Sequence, residues 1–137
     1  MSNKDKIVYV DGVFDLFHAG HIEFLKKAKS LGSYLIAGVI SDENCQSYKR
    51  KPIIELNNRL IMIENTKIVD KVIRDSPLII DEAFIKEHNI DIVVHGDDSK
   101  QEDFFKIPIE LGIMRYVSYT SGISTTQIID KVRRNYI

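Results

Sequence analysis

Hydrophobic residues along the chain fall into short blocks, and between the blocks apolar side chains recur every three or four positions. A short, nearly continuous apolar block is typical of a strand buried on both faces, as in a parallel sheet. The segment YLIAGVI, residues 34–40, is one such block. The pattern predicts five strands, at residues 6–10, 34–40, 69–73, 91–94 and 115–117.

The intervening segments carry helical spacing. Phe24 and Ala28 lie on one face of a segment with lysines on the other, and Gly32 provides a stop for this helix. Asp81 is placed to cap a later helix. The predicted helices cover residues 21–31, 57–67, 81–88, 104–111 and 124–134, and 42–56 is a loop with room for one short helix. In the second helix, the inward residues are predicted to be Leu60, Ile61 and Ile63.

Strands that alternate with helices predict one α/β domain over residues 1–137, with a doubly wound parallel sheet and helices on both faces. Ligands bind to such sheets beyond the carboxyl ends of the strands, where the strand order reverses. Four polar segments follow predicted strands and are expected at this edge, namely residues 10–21, 41–51, 95–98 and 119–125.

Composition narrows the class of protein. The 137 residues are 44% hydrophobic and 28% charged with a net charge of −1, which is typical of a globular protein. The sequence has no dense basic block of the kind that would indicate a nucleic-acid partner. The single cysteine, Cys45, excludes a disulfide within the chain. With no apolar signal-peptide core and no apolar run long enough for a membrane span, we expect a cytoplasmic protein.

The segment VDGVFDLFHAGH, residues 10–21, places His18 and His21 on either side of Gly20, where a strand gives way to a helix. A helix N-terminus offers free N–H groups and a partial positive charge, which favour a phosphate. One isolated histidine would more readily serve as a helix cap or core group, whereas two in this position favour a phosphate site. Zinc is disfavoured because no further His or Cys lies at a suitable spacing, and no metal-ligand set is predicted.

Three hydroxyl residues, Ser124, Thr125 and Thr126, follow Gly122 at the predicted start of the last helix. Together with the local N–H groups, they could donate hydrogen bonds to phosphate oxygens. Ser124 and Gln127 also match the capping box S-x-x-Q, which explains them without a ligand. Both roles are compatible, since a capped helix start still offers its remaining amides.

Charged residues at the same edge are candidates for binding charged groups. The basic run from Lys49 to Lys51 is either a solvated surface or a source of cations for phosphate. Arg59 begins a helix, where the dipole disfavours a cation, and bidentate phosphate binding would explain it. The aspartates that could hold Mg²⁺ or a cationic substrate group, or serve as turn residues, are Asp11, Asp97 and Asp98.

Two of these segments, HAGH at 18–21 and YTSGISTT at 119–126, resemble the signature motifs of the cytidylyltransferases that activate phospho-alcohols. The second motif of that family reads R-T-E-G-I-S-T-S/T. Lys49 and Arg59 are similar to the family's lysine after the second strand and its arginine of an E-R pair. The resemblance covers nearly the whole chain. The first motif alone is shared with many adenylyltransferases, and its combination with GISTT is more specific.

The resemblance implies a Rossmann-like nucleotidyltransferase fold that transfers CMP from CTP to a small phospho-alcohol. It implies that His18 and His21 act on the reacting phosphate, that Lys49 neutralises phosphate and that Arg59 holds substrate or nucleotide phosphate. It also implies Mg²⁺ with the nucleotide and a homodimer with the first motif at its interface. The implied nucleotide-binding residues are Gly12, Val13, Phe14, His18, His21, His95, Asp97, Gly122, Ile123, Ser124 and Thr125. The implied substrate-binding residues are Asp11, Lys49 and Tyr119.

The second motif departs from the family at two positions. Tyr119 stands in place of the arginine and Ser121 in place of the glutamate. One phosphate or nucleotide contact is therefore missing or supplied elsewhere, and Arg115 is a candidate by its proximity in sequence.

The substrate that we favour is phosphoethanolamine. The chain has no tryptophan, which weighs against choline because a trimethylammonium group prefers an aromatic cage. A primary ammonium could hydrogen-bond to Asp11, His95 or Asp97, and glycerol-3-phosphate and phosphocholine remain as further substrates. The alternatives are an adenylyltransferase acting on a sugar phosphate and a CTP-binding module without catalysis.

Overall fold

The computed structural model describes residues 5–97, 102–119 and 122–137. The strands are β1 (Ile7–Gly12), β2 (Tyr34–Val39), β3 (Lys71–Arg74), β4 (Ile92–Gly96) and β5 (Met114–Val117). The helices are α1 (Ala19–Lys29), α2 (Asp42–Gln46), α3 (Leu56–Glu64), α4 (Glu82–Glu87), α5 (Lys106–Glu110) and α6 (Thr125–Tyr136).

The strands form one parallel sheet in the order β3-β2-β1-β4-β5. The chain builds outward from β1 to β3 and then returns to the other side of β1, so the order reverses between β1 and β4. This confirms the predicted α/β fold with a doubly wound sheet. The carboxyl ends of β1 and β4 therefore border the crevice in which such sheets bind ligands.

Each central strand is buried on both faces, as its apolar run predicted. Val8 and Val10 of β1 pack with Phe24 and Leu25 of α1 on one face of the sheet. Tyr9 points to the opposite face, where it belongs to a second cluster that includes residues of α4 and of the segment before α5. Helices cover both faces, which holds the polar segments at the carboxyl edge in fixed positions.

Several local predictions are confirmed. The Asp81 side chain accepts a hydrogen bond from the Phe84 N–H at 2.8 Å and so caps α4, and the loop after β2 contains the short helix α2. One prediction is wrong: Ile61 is 54% exposed, whereas Leu60 and Ile63 are buried. In the part of the chain that the structure describes, no helix is both long and apolar enough to cross a bilayer.

Candidate active site

The two histidines of the first motif hold each other and the start of α1 through hydrogen bonds. His18 is the N-cap residue, and its Nδ1 accepts from the Gly20 N–H at 3.0 Å. The Nδ1 of His21 accepts from the His18 backbone N–H at 3.1 Å. A ring nitrogen that accepts a hydrogen bond carries no proton, so in each neutral ring Nε2 is the N–H donor. Each imidazole can therefore accept a backbone hydrogen bond at Nδ1 and still donate one to a ligand from Nε2.

The same environment keeps both imidazoles neutral. Burial lowers the pKa of His18. Burial, followed by the charge of nearby His18, lowers the pKa of His21 to about 3. The two rings stack with their centroids 3.8 Å apart, so two positive charges there would repel each other strongly. Near pH 7 this pair would act on a phosphate as neutral N–H donors.

Gly20 is required by the close approach of two parts of the site. A Cβ at this position would lie 2.8 Å from the His18 ring and 3.4 Å from the carbonyl oxygen of Ile123. The first distance is too short for any real side chain, so Gly20 allows the His18 ring to fold back over the start of α1. The second distance shows that the segment before α6 lies against the first motif.

Asp15 joins three segments of the site. Its carboxylate accepts hydrogen bonds from the backbone N–H groups of Ile53 and Ile54 at 2.8 and 2.9 Å. Its carbonyl oxygen accepts from the Thr125 hydroxyl at 2.9 Å. The segment that leads into the first motif, the loop before α3 and the start of α6 therefore meet at one residue, as expected for polar segments that share the carboxyl edge of the sheet.

The segments enclose a cavity of about 200 Å³ at the carboxyl edge of the sheet. Predicted site residues on its wall are Asp11, Gly12, Val13, Phe14, His21, Lys49, His95, Tyr119 and Thr125. His18 lies instead beside a neighbouring apolar groove, defined by Phe14, Leu16, Phe17, His18, Ile61, Met62 and Ile128 with Ile54, Asn58 and Arg59. Besides His18 and Arg59, the predicted residues outside the cavity wall are Asp97, Gly122, Ile123 and Ser124. Asp98 and Ser121 lie outside the described residues.

The hydroxyls at the start of α6 are less available than predicted. The Thr125 hydroxyl donates its proton to Asp15, so it does not donate to a phosphate in this arrangement. The Ser124 Oγ caps α6 by accepting from the Gln127 N–H at 3.1 Å, which bears out the predicted capping role and leaves its O–H as a donor. The first amides of the helix, those of Thr125 and Thr126, precede its hydrogen-bonded turns and are available for an anion.

The structure corrects the prediction that Arg59 binds phosphate. Its side chain is buried, at 1% exposure, and its guanidinium donates to three backbone carbonyls and to one carboxylate. The acceptors are the carbonyls of Val13 and Ile40 at 2.8 and 2.7 Å, the carbonyl of Ile54 at 2.8 Å and Oδ1 of Asp42 at 2.5 Å. Arg59 thus fixes the loops behind the cavity, and its position near the start of α3 is explained without a ligand.

Tyr119 replaces the family arginine with an aromatic ring packed into the wall. A Cβ at Gly96 would overlap this ring, so β4 and Tyr119 are in direct contact. On the other side, the ring stacks on Phe24 with centroids 5.7 Å apart. Arg115 does not supply the missing contact, because its Nη1 donates to the carbonyls of Gly112 and Met114, at the other end of β5.

Asp11 places a carboxyl group in the cavity wall. It is 8% exposed, and burial raises its pKa to about 7. A ligand cation beside this buried carboxyl would favour its ionised form. The geometry therefore supports the prediction that Asp11 faces a substrate group, and a cationic group suits it best.

The wall also contains residues that the sequence did not assign to a site. These are Asp15, Phe24, Ile40, Cys45, Tyr48 and Pro52, and Arg50 of the predicted basic run lines the wall as well. Tyr48 and Arg50 flank the predicted Lys49 in the loop after β2, so the basic run gave a signal for them. The signal for Asp15 was its place in the segment that leads into the first motif, but its partners are 38 and 39 residues away.

Comparisons with known proteins agree with this geometry. Residues 9–131 match the cytidylyltransferase-like family. The chain is 40% identical to ethanolamine-phosphate cytidylyltransferase of Dictyostelium discoideum, covering 96% of this chain and 39% of that protein. It is 38% identical to human choline-phosphate cytidylyltransferase A, with 94% and 37% covered. The chain thus spans about two fifths of the length of these curated relatives.

A solved structure shows the same fold. The lipopolysaccharide core biosynthesis protein of Thermoplasma volcanium aligns with a TM-score of 0.72 and 30% identity, covering 85% of this chain and 98% of that one. The family match includes both motifs that border the cavity, together with the sheet that holds them. The chain belongs to the cytidylyltransferase-like family.

Proposed function

We propose that this chain transfers CMP from CTP to a small phospho-alcohol, with phosphoethanolamine as the preferred substrate. The observation that carries the proposal is the convergence of the first motif and the start of α6 on one cavity, joined by the hydrogen bond from Thr125 to Asp15. This brings the imidazole of His21, with the ring of His18 stacked on it, and the helix amides to the cavity in which a triphosphate would bind. Relatives named ethanolamine-phosphate cytidylyltransferase, at 40% and 39% identity, support the choice of reaction.

In the proposed reaction, a phosphate oxygen of the phospho-alcohol attacks the α-phosphorus of CTP. The bond from this phosphorus to the oxygen bridging to the β-phosphate breaks, and pyrophosphate leaves with the electron pair. No protein nucleophile is needed, so the protein contributes position and charge stabilisation. His18 and His21 donate from Nε2, Lys49 neutralises phosphate charge, and the α6 amides hold the terminal phosphates.

Phosphoethanolamine suits the cavity wall better than glycerol-3-phosphate, which lacks a cationic group. Its primary ammonium can donate hydrogen bonds to the buried carboxyl of Asp11, and glycerol-3-phosphate has no cation to offer. Phosphocholine cannot donate such bonds and depends on aromatic faces. Tyr48 and Tyr119 offer aromatic surface on the wall, but phosphocholine forgoes the hydrogen bonds to Asp11, so we expect it to be a weaker substrate.

We also propose that Mg²⁺ accompanies the nucleotide. Within the described residues, no group of three or more His, Cys, Asp or Glu side chains could hold a metal ion. The ion would therefore be bound mainly by nucleotide phosphates, as Mg²⁺ commonly is. When bound, Mg²⁺ would neutralise charge on the departing pyrophosphate.

We also propose that two copies of the chain form a homodimer through the apolar groove beside the first motif. Phe17, Met62 and Ile128 line it together with Ile61, and Ile61 and Met62 are about half exposed. A second copy would cover these side chains and the outer side of His18. We expect Ile61→Glu to shift the mass measured by light scattering toward the monomer. The matched change at an exposed isoleucine outside the groove, Ile79→Glu, should leave it unchanged.

The decisive experiment is a matrix of CTP and ATP against phosphoethanolamine, phosphocholine, glycerol-3-phosphate and a sugar phosphate. Pyrophosphate release gives the rate, and mass spectrometry identifies the product. We expect CDP-ethanolamine to form with the highest kcat/KM. Turnover only with ATP and the sugar phosphate would show an adenylyltransferase, and CTP binding without turnover would show a binding module.

The free, buried thiol of Cys45 fits our proposal that the reaction takes place in the reducing cytoplasm.

A further inference from the structure

The cavity must balance the several negative charges of a triphosphate, and few side chains are available to do so. Both imidazoles are neutral, and the charge of Arg59 is buried behind the wall. Among the described residues that line the cavity, only Lys49 and Arg50 carry a positive charge, while Asp11 and Asp15 are acidic. Arg50 therefore accounts for half of the cationic side chains on the wall.

The position that carries a guanidinium in the related motif carries none here. Tyr119 fills the space between Gly96 and Phe24 with its ring. Arg115 is directed to backbone carbonyls away from the cavity. A guanidinium for the bound phosphates must come from another segment of the wall.

Arg50 has the placement that this role requires. Its backbone is held at the wall, because its carbonyl oxygen accepts from the buried Sγ of Cys45 at 3.3 Å. Four residues on, Ile54 is held by Asp15, so the loop is fixed at Arg50 and again beyond it. The side chain itself is exposed, and no hydrogen bond or ion pair joins its guanidinium to any described residue. Such a group can form two parallel hydrogen bonds with a phosphate.

We propose that Arg50 is the phosphate-binding guanidinium of this site and takes over the contact that Tyr119 cannot make. The inference rests on the proposed function, since it assumes that a triphosphate occupies the cavity. It makes the loop after β2, rather than the start of the second motif, the source of this positive charge. Lys51, the next residue, is exposed but does not line the cavity, which makes it the matched control.

The test uses four variants, Arg50→Gln, Lys51→Gln, Tyr119→Arg and the Arg50→Gln/Tyr119→Arg double variant. Calorimetry measures the Kd of CTP and of inorganic tripolyphosphate, and steady-state assays give KM and kcat. We expect Arg50→Gln to weaken both ligands by roughly ten- to a hundredfold, as for loss of a charge-assisted hydrogen bond. Lys51→Gln should change each Kd by less than about twofold, since it removes only a distant, screened charge.

The double variant tests whether Tyr119→Arg can supply the phosphate contact that Arg50→Gln removes. If Arg50 replaces the missing arginine, Tyr119→Arg should restore most of the affinity lost in Arg50→Gln and add much less to the wild-type chain. Equal effects of Arg50→Gln and Lys51→Gln would overturn the proposal, as would a gain from Tyr119→Arg that is the same in both backgrounds. A fifth variant, Arg50→Lys, keeps the charge and should therefore retain part of the affinity that Arg50→Gln loses.

The failure of this inference is distinguishable from failure of the proposed function. Tripolyphosphate binding that depends on Arg50, without turnover of any phospho-alcohol, supports Arg50 and contradicts the proposed reaction. Turnover of phosphoethanolamine that is unaffected by Arg50→Gln supports the reaction and overturns the role of Arg50. A wild-type chain that binds neither CTP nor tripolyphosphate overturns both.

Discussion

Replacing Arg59 with Met tests whether this arginine serves the fold or the ligand. Met keeps the aliphatic part of the side chain but removes every donor. The change leaves three backbone carbonyls, those of Val13, Ile40 and Ile54, without the donor that now satisfies them. It also leaves Asp42 without its ion-pair partner.

The magnitude follows from these contacts. Leaving a buried polar group without its partner costs about 1–3 kcal/mol, and removing one member of a buried charge pair costs about 3–5 kcal/mol. The side chain of Asp42 is 24% exposed, so water relieves part of its loss. We expect the free energy of unfolding to fall by about 3–5 kcal/mol and the Tm to fall by roughly 10 to 15 °C.

The assay is urea unfolding followed by far-ultraviolet circular dichroism, with thermal melting as a second measurement. Arg115→Met is the matched control, because Arg115 also donates to two backbone carbonyls but is exposed. Its effect should be less than about 0.5 kcal/mol. A stable Arg59→Met protein that has lost CTP binding would refute the reasoning and restore the phosphate-binding role predicted from the sequence.

Three further predictions concern the site itself. His18→Ala should lower kcat by about a hundredfold or more in the pyrophosphate-release assay, as expected for loss of a transition-state donor; an unchanged kcat would contradict the mechanism. Burial raises the pKa of Asp11 from 3.8 to about 7, so the folded state binds this proton more tightly than the unfolded chain. Asp11 therefore makes the protein lose stability as pH rises from about 4 to 7, and urea titrations across that range should show a smaller loss for Asp11→Asn. Gly96→Ala should displace the Tyr119 ring and raise the KM for substrate, whereas an unchanged KM would show that the ring does not shape the cavity.

The sequence predicted the fold well because the signals for a doubly wound sheet are local. Strands such as β2 are continuous apolar blocks, and Asp81 and Ser124 cap helices by bonding to amides three residues away. The failure at Ile61 has an equally plain cause. Its spacing fits the inward face of α3, but the neighbouring groove leaves it open to solvent.

The site was only partly predictable, because several of its contacts join distant residues. Arg59 near the start of a helix suggested a ligand, yet its acceptors include backbone carbonyls 19 and 46 positions away, and carbonyls leave no trace in a sequence. The Tyr119 substitution was visible, but its packing on Gly96 depends on the pairing of β4 with β5. The sequence could point to side chains such as Arg59, but not to the backbone groups that Arg59 and Asp15 bind.

The position of Asp15 has a consequence for how the cavity can move. Because one aspartate binds two amides of the loop before α3 and its own carbonyl binds the start of α6, none of these segments can swing away alone. Their amide protons should exchange with deuterium as one cooperative unit, with similar opening free energies. Entry and exit of substrates would then depend on side-chain rotations at the rim rather than on a hinged flap.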